Sequence, residues 1–336
     1  MSNFAEKGGG TFQGIKLLLC ENPLPPIEEA IAAAQAEVPN GNYYTEPYSE
    51  PLRQLLAERN NVPENLIHIN AGSELILRQI FSRFGQQAHL LTPTYALFPE
   101  IARHYTETRL LPDEDFAFDL SHWAIPNDTT LAVIVNPNNP NGGIFDMEPL
   151  PDLLRRYPKT NFLVDEAFIG LAGKSVVNWV PEFSNLLVTR TLSKAHSLAG
   201  FRVGYGIFPQ TIANDLNRNN DAYPLARPSQ AAAIATLVHE DKIIARTAQL
   251  QEWTEELAAQ LRTLDVRTYP THTYFFLADF APYDAAQLAG ALKTRGILIK
   301  PLNDPILGAG FMRVTTALPE DNLRFVGALR ELKYSG

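Results

Sequence analysis

A lysine and an arginine follow one short apolar segment, and their spacing suits amine chemistry. Residues 186–192 are mostly apolar and rich in β-branched side chains, which predicts a buried strand. Ser193 and Lys194 come at its carboxyl end, and Arg202 follows eight residues after Lys194. Ligands of open α/β sheets bind beyond the carboxyl ends of strands. A partly desolvated amine beside a second cation has a lowered pKa and can form a Schiff base with a carbonyl, which predicts a nucleophilic Lys194.

A turn of small residues supplies a second chemical feature. Residues 66–70 predict a strand, and Gly72, Ser73 and Glu74 then open a helical stretch. The free N–H groups and the dipole of a helix N-terminus favour an anion such as a phosphate group. Simple capping of the helix by Ser73 explains the same residues equally well, so both interpretations stay open.

Three further predicted strands end at residues that suit a flat, polar ligand. The strands are residues 89–92, 131–135 and 161–164, and the residues that follow them are Tyr95, Asn139 and Asp165. The ring of Tyr95 can stack on another ring. The proline, asparagine and glycine residues around Asn139 predict a turn. All three residues stand where ligands of α/β proteins bind.

Composition limits the class of protein. The chain has 336 residues, a formal net charge of −9 and one cysteine, Cys20. This length suits one large α/β domain and a smaller one. The acidic balance without a basic cluster argues against nucleic-acid binding. A single cysteine fits a reducing compartment, and the sequence offers neither a signal peptide nor a membrane-spanning run, so we expect a cytoplasmic enzyme or binding protein without a metal site.

Taken together, these motifs resemble one enzyme family. Residues 193–205 read S-K-x-x-x-L-x-G-x-R-x-G-Y, residues 136–142 read NPNNPNG, and residues 165–168 read DEAF. They are similar to segments of the fold-type-I, pyridoxal-phosphate-dependent aminotransferases of class I/II. Within that family the chain looks closest to the branch that holds histidinol-phosphate aminotransferase and threonine-phosphate decarboxylase. Asn141 and Phe168 depart from the usual threonine and tyrosine of these segments.

The resemblance implies a cofactor, pyridoxal 5'-phosphate, and a role for each motif. Lys194 would hold it as an internal aldimine and then act as general base. Ser193, Arg202 and the turn of Gly72, Ser73 and Glu74 would bind its phosphate; Tyr95 would stack on its ring, Asp165 would pair with the ring nitrogen, and Asn139 would bind the ring oxygen. Phe168 would face the same oxygen without a hydroxyl group to donate.

The resemblance also implies a substrate side and a partner subunit. Arg313 matches the strand arginine that clamps a substrate carboxylate, and Asn22 matches the N-terminal substrate-binding segment. Cys20 and Pro25 replace the usual asparagine and glycine of that segment. Tyr44 matches a tyrosine that reaches across a homodimer to the cofactor phosphate of the neighbouring subunit.

The expected fold is α/β. It has a three-layer αβα large domain with a mostly parallel sheet and a smaller α+β C-terminal domain. We assign residues 1–27 to an N-terminal arm that contributes to the small domain and the active site, 28–226 to the large cofactor-binding domain, and 227–336 to the small domain. Arg227 and Pro228 mark the expected boundary.

Three functions remain open from the sequence. A transaminase acting on a small amino acid or amino-phosphate and a 2-oxo acid is favoured by the residues 193–200. A decarboxylase like those acting on threonine phosphate is favoured by Phe168 and by the Gly8–Gly10 arm, whose glycines predict either flexibility or backbone amides that could wrap an anion. A non-catalytic cofactor-binding protein is disfavoured because Lys194, Asp165 and Arg202 are all present. We favour the transaminase.

Overall fold

The computed structural model describes residues 12–302, 304 and 307–334, so the Gly8–Gly10 arm lies outside the described residues. Its strands are β1 (Ile15–Leu17), β2 (Ile67–Asn70), β3 (Ala88–Thr92), β4 (Tyr105–Arg109), β5 (Leu131–Val135), β6 (Asn161–Asp165), β7 (Leu186–Thr191), β8 (Gly204–Ile207), β9 (Arg267–Thr268), β10 (Phe275–Asp279), β11 (Ile297–Pro301) and β12 (Phe311–Thr315). Its α-helices are α1 (Glu28–Glu37), α2 (Glu50–Asn60), α3 (Ser73–Phe84), α4 (Leu97–Ile101), α5 (Leu150–Arg156), α6 (Gln210–Arg218), α7 (Arg227–Val238), α8 (Glu240–Arg262), α9 (Ala285–Lys293) and α10 (Pro319–Tyr334).

Seven strands form the large sheet, in the order β2-β8-β7-β6-β5-β3-β4. The strands from β7 to β4 are parallel to one another, and β8 runs antiparallel to both β7 and β2. Parallel strands are buried on both faces, which explains the continuous apolar runs of β5 and β7. The carboxyl ends of β5, β6 and β7 lie side by side, so the segments that follow these strands meet at one edge of the sheet.

Helices cover both faces of the large sheet. Alternate residues of β6 pack into different cores: Phe162 and Val164 belong to one, and Leu163 belongs to the other. The first core takes buried side chains from α1, α2, α5 and α7, and the second takes them from α3, α4 and α6. This alternation produces the predicted three-layer αβα architecture, because successive residues of a strand point to opposite faces.

The smaller sheet has the order β1-β11-β12-β10-β9 and is antiparallel except for the parallel pair of β1 with β11. Its own core includes Phe276, Met312 and Phe325, packed with the last turns of α8. Since β1 comes from the N-terminal segment, that segment is fixed to the C-terminal sheet. The chain therefore crosses from the small sheet to the large one and returns.

Two features of the fold differ from the sequence expectations. Helix α7 begins at Arg227, but its buried residues Ala232 and Ala233 pack in the core of the large sheet, beside α1. The long helix α8 carries side chains into both cores, with Leu250 in the first and Leu257 in the second. The change of domain therefore occurs within α8.

Among the described residues, no helix is both long and apolar enough to span a bilayer.

Candidate active site

A cavity of about 380 Å³ opens at the carboxyl edge of the large sheet, between this sheet and the smaller one. Ten of the predicted site residues line it: Ser73, Glu74, Tyr95, Asn139, Asp165, Phe168, Ser193, Lys194, Arg202 and Arg313. They come from segments that lie up to 240 positions apart in sequence, and the fold brings them together. The cavity is therefore the candidate active site.

Lys194 lies in the turn that follows β7, and its amine points toward the N-terminal segment. Its Nζ donates to the backbone carbonyl of Leu19 at 3.0 Å and to that of Cys20 at 3.1 Å, and it lies 5.5 Å from the ring centre of Phe168. Burial is the largest effect on the pKa of Lys194 and lowers it; the positive charges of Arg313 and Arg202 also lower it, whereas Cys20 and Glu21 act in the opposite direction. A lowered pKa increases the fraction of neutral amine, which is the nucleophilic form.

Asp165 ends β6 as a buried carboxylic acid that faces the cavity. Burial raises its pKa to about 7, whereas hydrogen bonds from Thr189 and the backbone of Ala167 and the charge of Lys194 act in the opposite direction. The hydroxyl of Thr189 donates to Oδ1 of Asp165 at 3.1 Å. A cationic ring nitrogen placed beside this carboxyl group would favour its ionised form.

The phosphate end of the cavity is formed by the start of α3 and by Arg202. Gly72 is the residue that precedes the helix, has a φ of 90°, and forms no side-chain cap, so Ser73 is the first helical residue and does not cap it. A Cβ atom at Gly72 would lie 2.5 Å from Nη2 of Arg202, and one at Gly204 would lie 2.0 Å from the backbone nitrogen of Ser73. Both glycines are therefore needed for the close approach of Arg202 and β8 to this helix N-terminus.

The opposite end of the cavity is closed by Arg313 of β12. Its Nη1 donates to Oδ1 of Asn139 at 2.7 Å, and its Nη2 donates to the carbonyl of Leu18 at 2.5 Å. Its guanidinium also lies 5.7 Å from the ring centre of Phe275, and its Nε is buried without a hydrogen-bond partner among the described residues. A guanidinium can bind a carboxylate through two N–H groups, and here both Nη groups are bonded to acceptors of the protein.

Two aromatic side chains form the walls of the cavity between these ends. Tyr95 packs edge-on against Phe98, with 5.6 Å between the ring centres, and burial raises the pKa of its hydroxyl to about 12. The ring of Phe168 is buried and contacts Phe275 at 4.8 Å between ring centres. Tyr95 is therefore an uncharged wall, and Phe168 adds an apolar one.

Three predicted site residues do not line the cavity. Gly72 lies next to the guanidinium of Arg202 and is not part of the cavity lining. Asn22 donates through Nδ2 to the carbonyls of Lys194 and Ala195, and its Oδ1 accepts from the backbone of Leu24, so this side chain holds the lysine turn against the N-terminal segment. Tyr44 is 76% exposed and stacks on Tyr223 with 4.4 Å between the ring centres.

The N-terminal segment makes contacts at this site that were not predicted from the sequence. Three consecutive carbonyls, those of Leu18, Leu19 and Cys20, accept hydrogen bonds from Arg313, Lys194 and Tyr274. Cys20 has a φ of 50°, a conformation that asparagine adopts more readily than most residues. Residues 18–20 use backbone atoms for these contacts, so no side-chain motif could have revealed them.

Glu21 and Thr189 were also missed. Glu21 follows the carbonyl segment and adds a carboxylate to the lining of the cavity. Thr189 lies on β7 beside Asp165 and is fully buried. The alternation of side chains along β7 was a signal for the second of these, because a polar residue inside a buried strand needs a hydrogen-bond partner.

Comparison with known proteins places the chain in a family. Residues 14–328 match the model of the family described as aminotransferase class I and II. The chain is 32% identical over 329 residues to histidinol-phosphate aminotransferase 1 of Pseudomonas aeruginosa, an alignment that covers 95% of this chain and 93% of the relative.

Solved structures show the same fold at lower identity. A histidinol-phosphate aminotransferase from Sinorhizobium meliloti, solved in complex with pyridoxal-5'-phosphate, superposes with a TM-score of 0.84 at 22% identity and covers 96% of this chain and 91% of that one. The L-threonine-O-3-phosphate decarboxylase from Porphyromonas gingivalis also has a TM-score of 0.84 at 22% identity, with 95% and 99% of the two chains covered. From the match over residues 14–328, the chain belongs to the class I and II aminotransferase family.

Proposed function

We propose that this protein is a pyridoxal-phosphate-dependent aminotransferase in which Lys194 binds the cofactor. The observation that carries the proposal is the juxtaposition, in one cavity, of a lysine of lowered pKa, a buried Asp165 and a helix N-terminus beside Arg202. A lysine nucleophile, a carboxylate for a ring nitrogen and an anion site are the three groups that this cofactor requires. The family match supports the same activity.

The residues present fit the cofactor. Without a Cβ, Gly72 lets Arg202 approach the start of α3 and Gly204 lets β8 approach Ser73, so backbone N–H groups stay available to a phosphate. Thr191 donates to Oγ of Ser193 at 2.9 Å, which leaves the Ser193 hydroxyl proton free for an anion. Asp165 and Asn139 lie on the polar side of the same cavity, which also contains the rings of Tyr95 and Phe168.

Three residues of the chain have separate roles in the proposed reaction. When bound, pyridoxal phosphate supplies a carbonyl carbon for amines and a ring that accepts the electron pair left at the substrate Cα. Asp165 holds a proton at the ring nitrogen by remaining ionised beside it. The Lys194 amine, once displaced by the substrate amine, would take the proton from the substrate Cα and return it to the former carbonyl carbon of the cofactor, which is general acid–base catalysis. Arg313 holds an anionic group of the substrate by two parallel hydrogen bonds.

The proposed substrates are a small amino acid or amino-phosphate as amino donor or product and a 2-oxo acid as its partner. Arg313 is the guanidinium at the substrate end. It can bind one anionic group of the amino donor and later one anionic group of the 2-oxo acid. The relative in Pseudomonas aeruginosa is named for histidinol phosphate, and we propose histidinol phosphate as the first compound to examine. Asn22 would act through the turn that carries Lys194.

We also propose a homodimer in which Tyr44 completes the site of the neighbouring subunit. Four more large apolar or aromatic side chains are exposed near Tyr44 in sequence or in space: Val38, Tyr43, Tyr48 and Tyr223. Tyr44 and Tyr223 stack on each other, and exposed apolar patches mark contact sites between proteins. Light scattering is expected to give twice the mass of one chain, and a fully active monomer would contradict the proposal.

One experiment tests the reaction type. The purified protein, loaded with pyridoxal phosphate, is incubated with histidinol phosphate and 2-oxoglutarate, and glutamate is measured. Formation of glutamate with loss of 2-oxoglutarate is the expected result. Release of carbon dioxide from O-phosphothreonine without glutamate formation would instead establish a decarboxylase.

The decarboxylase remains the second candidate because of Phe168. This buried ring stands where a tyrosine is usual in the matching segment of the aminotransferases, and it has no hydroxyl that could donate to the oxygen of a bound cofactor. The carbon dioxide measurement above decides between the two candidates.

A further inference from the structure

Thr189 contacts Asp165 from the neighbouring strand of the large sheet. The two residues are direct partners in the parallel pair of β6 and β7, so their side chains stand next to each other on the same face. The hydroxyl of Thr189 donates to Oδ1 of Asp165 at 3.1 Å, and Thr189 has no measurable exposure to solvent. No other hydrogen bond to this hydroxyl is found among the described residues.

The surroundings leave Thr189 as the side-chain donor for Asp165. Glu166, the next residue along the chain, turns away and accepts hydrogen bonds from Ser175 and Arg190, while its negative charge raises the pKa of Asp165. Lys194 acts in the opposite direction through its charge, and the backbone of Ala167 supplies the remaining donor. Tyr95, which also lines the cavity, is neutral because its pKa is about 12.

We propose that Thr189 is a positioning residue, which holds the Asp165 carboxylate ionised and oriented toward the ring nitrogen of the cofactor. This inference rests on the proposed function, because it assigns Asp165 to the cofactor ring. Thr189 does not touch the reacting atoms. It acts by occupying one oxygen of Asp165 and leaving the other for the ring.

The sign of the effect follows from the hydrogen bond. A donor to the carboxylate stabilises its charged form, so its removal makes Asp165 a stronger base. A more basic Asp165 attracts the proton that the ring nitrogen and the carboxylate share, and the ring nitrogen then becomes less protonated. A hydrogen bond to a charged group corresponds to roughly one to two pKa units.

Three substitutions separate the hydroxyl from the packing of Thr189. Thr189→Val keeps the β-branched shape and loses the hydroxyl, Thr189→Ser keeps the hydroxyl and loses the methyl, and Thr189→Ala loses both. The probe is pyridoxal phosphate labelled with ¹⁵N in the ring, bound to each full-length protein, and the ¹⁵N chemical shift is followed against pH. The shift separates a protonated from a neutral ring nitrogen and does not depend on turnover.

The expected result is a protonated ring nitrogen in the wild-type protein and in Thr189→Ser, and a shift toward the neutral form in Thr189→Val and Thr189→Ala. The kcat of Thr189→Val is expected to fall about tenfold or more, with KM changed less, since the lost hydrogen bond acts on the ring and not on the substrate. If Thr189→Val binds no cofactor, the Ser and Ala variants decide the question by the same comparison.

Two results would overturn the inference while leaving the proposed function intact. In one, Thr189→Val matches the wild type in ¹⁵N shift and kcat. In the other, Thr189→Ser and Thr189→Ala are equally impaired, which would assign the role of Thr189 to packing. A wild-type protein that binds no cofactor at Lys194 would overturn the proposed function and this inference together.

Discussion

The two ends of the cavity are built in different ways. The cofactor end is formed by residues that follow strands of the large sheet, such as Asn139 after β5, Asp165 at the end of β6 and Lys194 after β7. The substrate end is formed by Arg313 of the small sheet and by the backbone carbonyls of residues 18–20. One sheet therefore fixes the first end, whereas the second depends on how three distant parts of the chain meet.

This difference has a functional consequence. The groups that hold a cofactor must keep one geometry, and adjacent parallel strands provide it because hydrogen bonds fix the register of each strand. The groups that hold substrates must exchange partners during the reaction. Arg313 is bonded to the Leu18 carbonyl and to Asn139, and a substrate carboxylate would have to replace these acceptors. The substrate end is thus built from contacts that can be exchanged.

Removal of the lysine breaks the cofactor end and has the largest expected effect. Lys194→Ala is expected to lower kcat by about a thousandfold or more, because it removes both the nucleophile and the general base. The measurement is transamination by the cofactor-loaded protein at saturating substrate. Lys174→Ala, at an exposed position, is the control and should retain full activity. Activity of Lys194→Ala close to that of the control would contradict the assignment.

Removal of the guanidinium breaks the substrate end instead. Arg313→Gln should raise KM for a carboxylate-bearing amino donor by about ten- to a hundredfold, because charged hydrogen bonds of roughly 1.5–3 kcal/mol are lost. The affinity for the cofactor should change less than the KM, because Arg313 contacts the cofactor end through its hydrogen bond to Asn139. Arg324→Gln is the control, because Arg324 is exposed and pairs with Asp321 on α10. An unchanged KM in Arg313→Gln would show that the carboxylate binds elsewhere.

Phe168→Tyr tests the residue at the boundary between the two ends of the cavity. A tyrosine hydroxyl can donate to the cofactor oxygen and stabilise its ionised form, so the pKa of the lysine-bound cofactor should fall by about one to two units. Tyr205 does not line this cavity; it lines a separate one together with Arg190, whose Nη1 donates to the Tyr205 hydroxyl at 3.4 Å. Visible absorbance against pH gives the value for both proteins. An equal or higher pKa in the variant would mean that Phe168 does not face this oxygen.

The smallest expected effect concerns the N-terminal segment. The buried Tyr274 donates to the Cys20 carbonyl at 2.7 Å, and Tyr274→Phe removes this bond while keeping the ring. Urea denaturation should show a free energy of unfolding lower by about 1 kcal/mol. Tyr283→Phe, at an exposed ring, serves as the matched control and should show no loss. Equal stability of both variants would show that this contact does not hold the segment.

The sequence predicted the cofactor end much better than the substrate end. The strands before Asn139, Asp165 and Lys194 were predicted within one or two residues, because each is a short apolar run followed by polar turn residues. The small domain could be located, but the boundary between its strands β9 and β10 could not be predicted, because the turn between them also carries aromatic and β-branched residues.

Contacts between backbone and distant side chains could not be predicted at all. The bond from Arg313 to Leu18 joins residues 295 positions apart, and its acceptor is a carbonyl group that every residue possesses. The packing of α7 against α1 was missed for a related reason. Ala232 and Ala233 are small apolar residues that could pack in either core. The sequence does not show that the chain leaves the large domain only within α8, after both alanines have packed in its core.

The attachment of the cofactor to Lys194 is the central claim, and one measurement tests it directly. The protein is loaded with pyridoxal phosphate, reduced with borohydride and digested, and the modified peptide is identified by mass spectrometry. The expected result is a single pyridoxyl group on Lys194, in the peptide that contains Ser193, and no such group in Lys194→Ala. Labelling of a different lysine, or no labelling after loading, would contradict it.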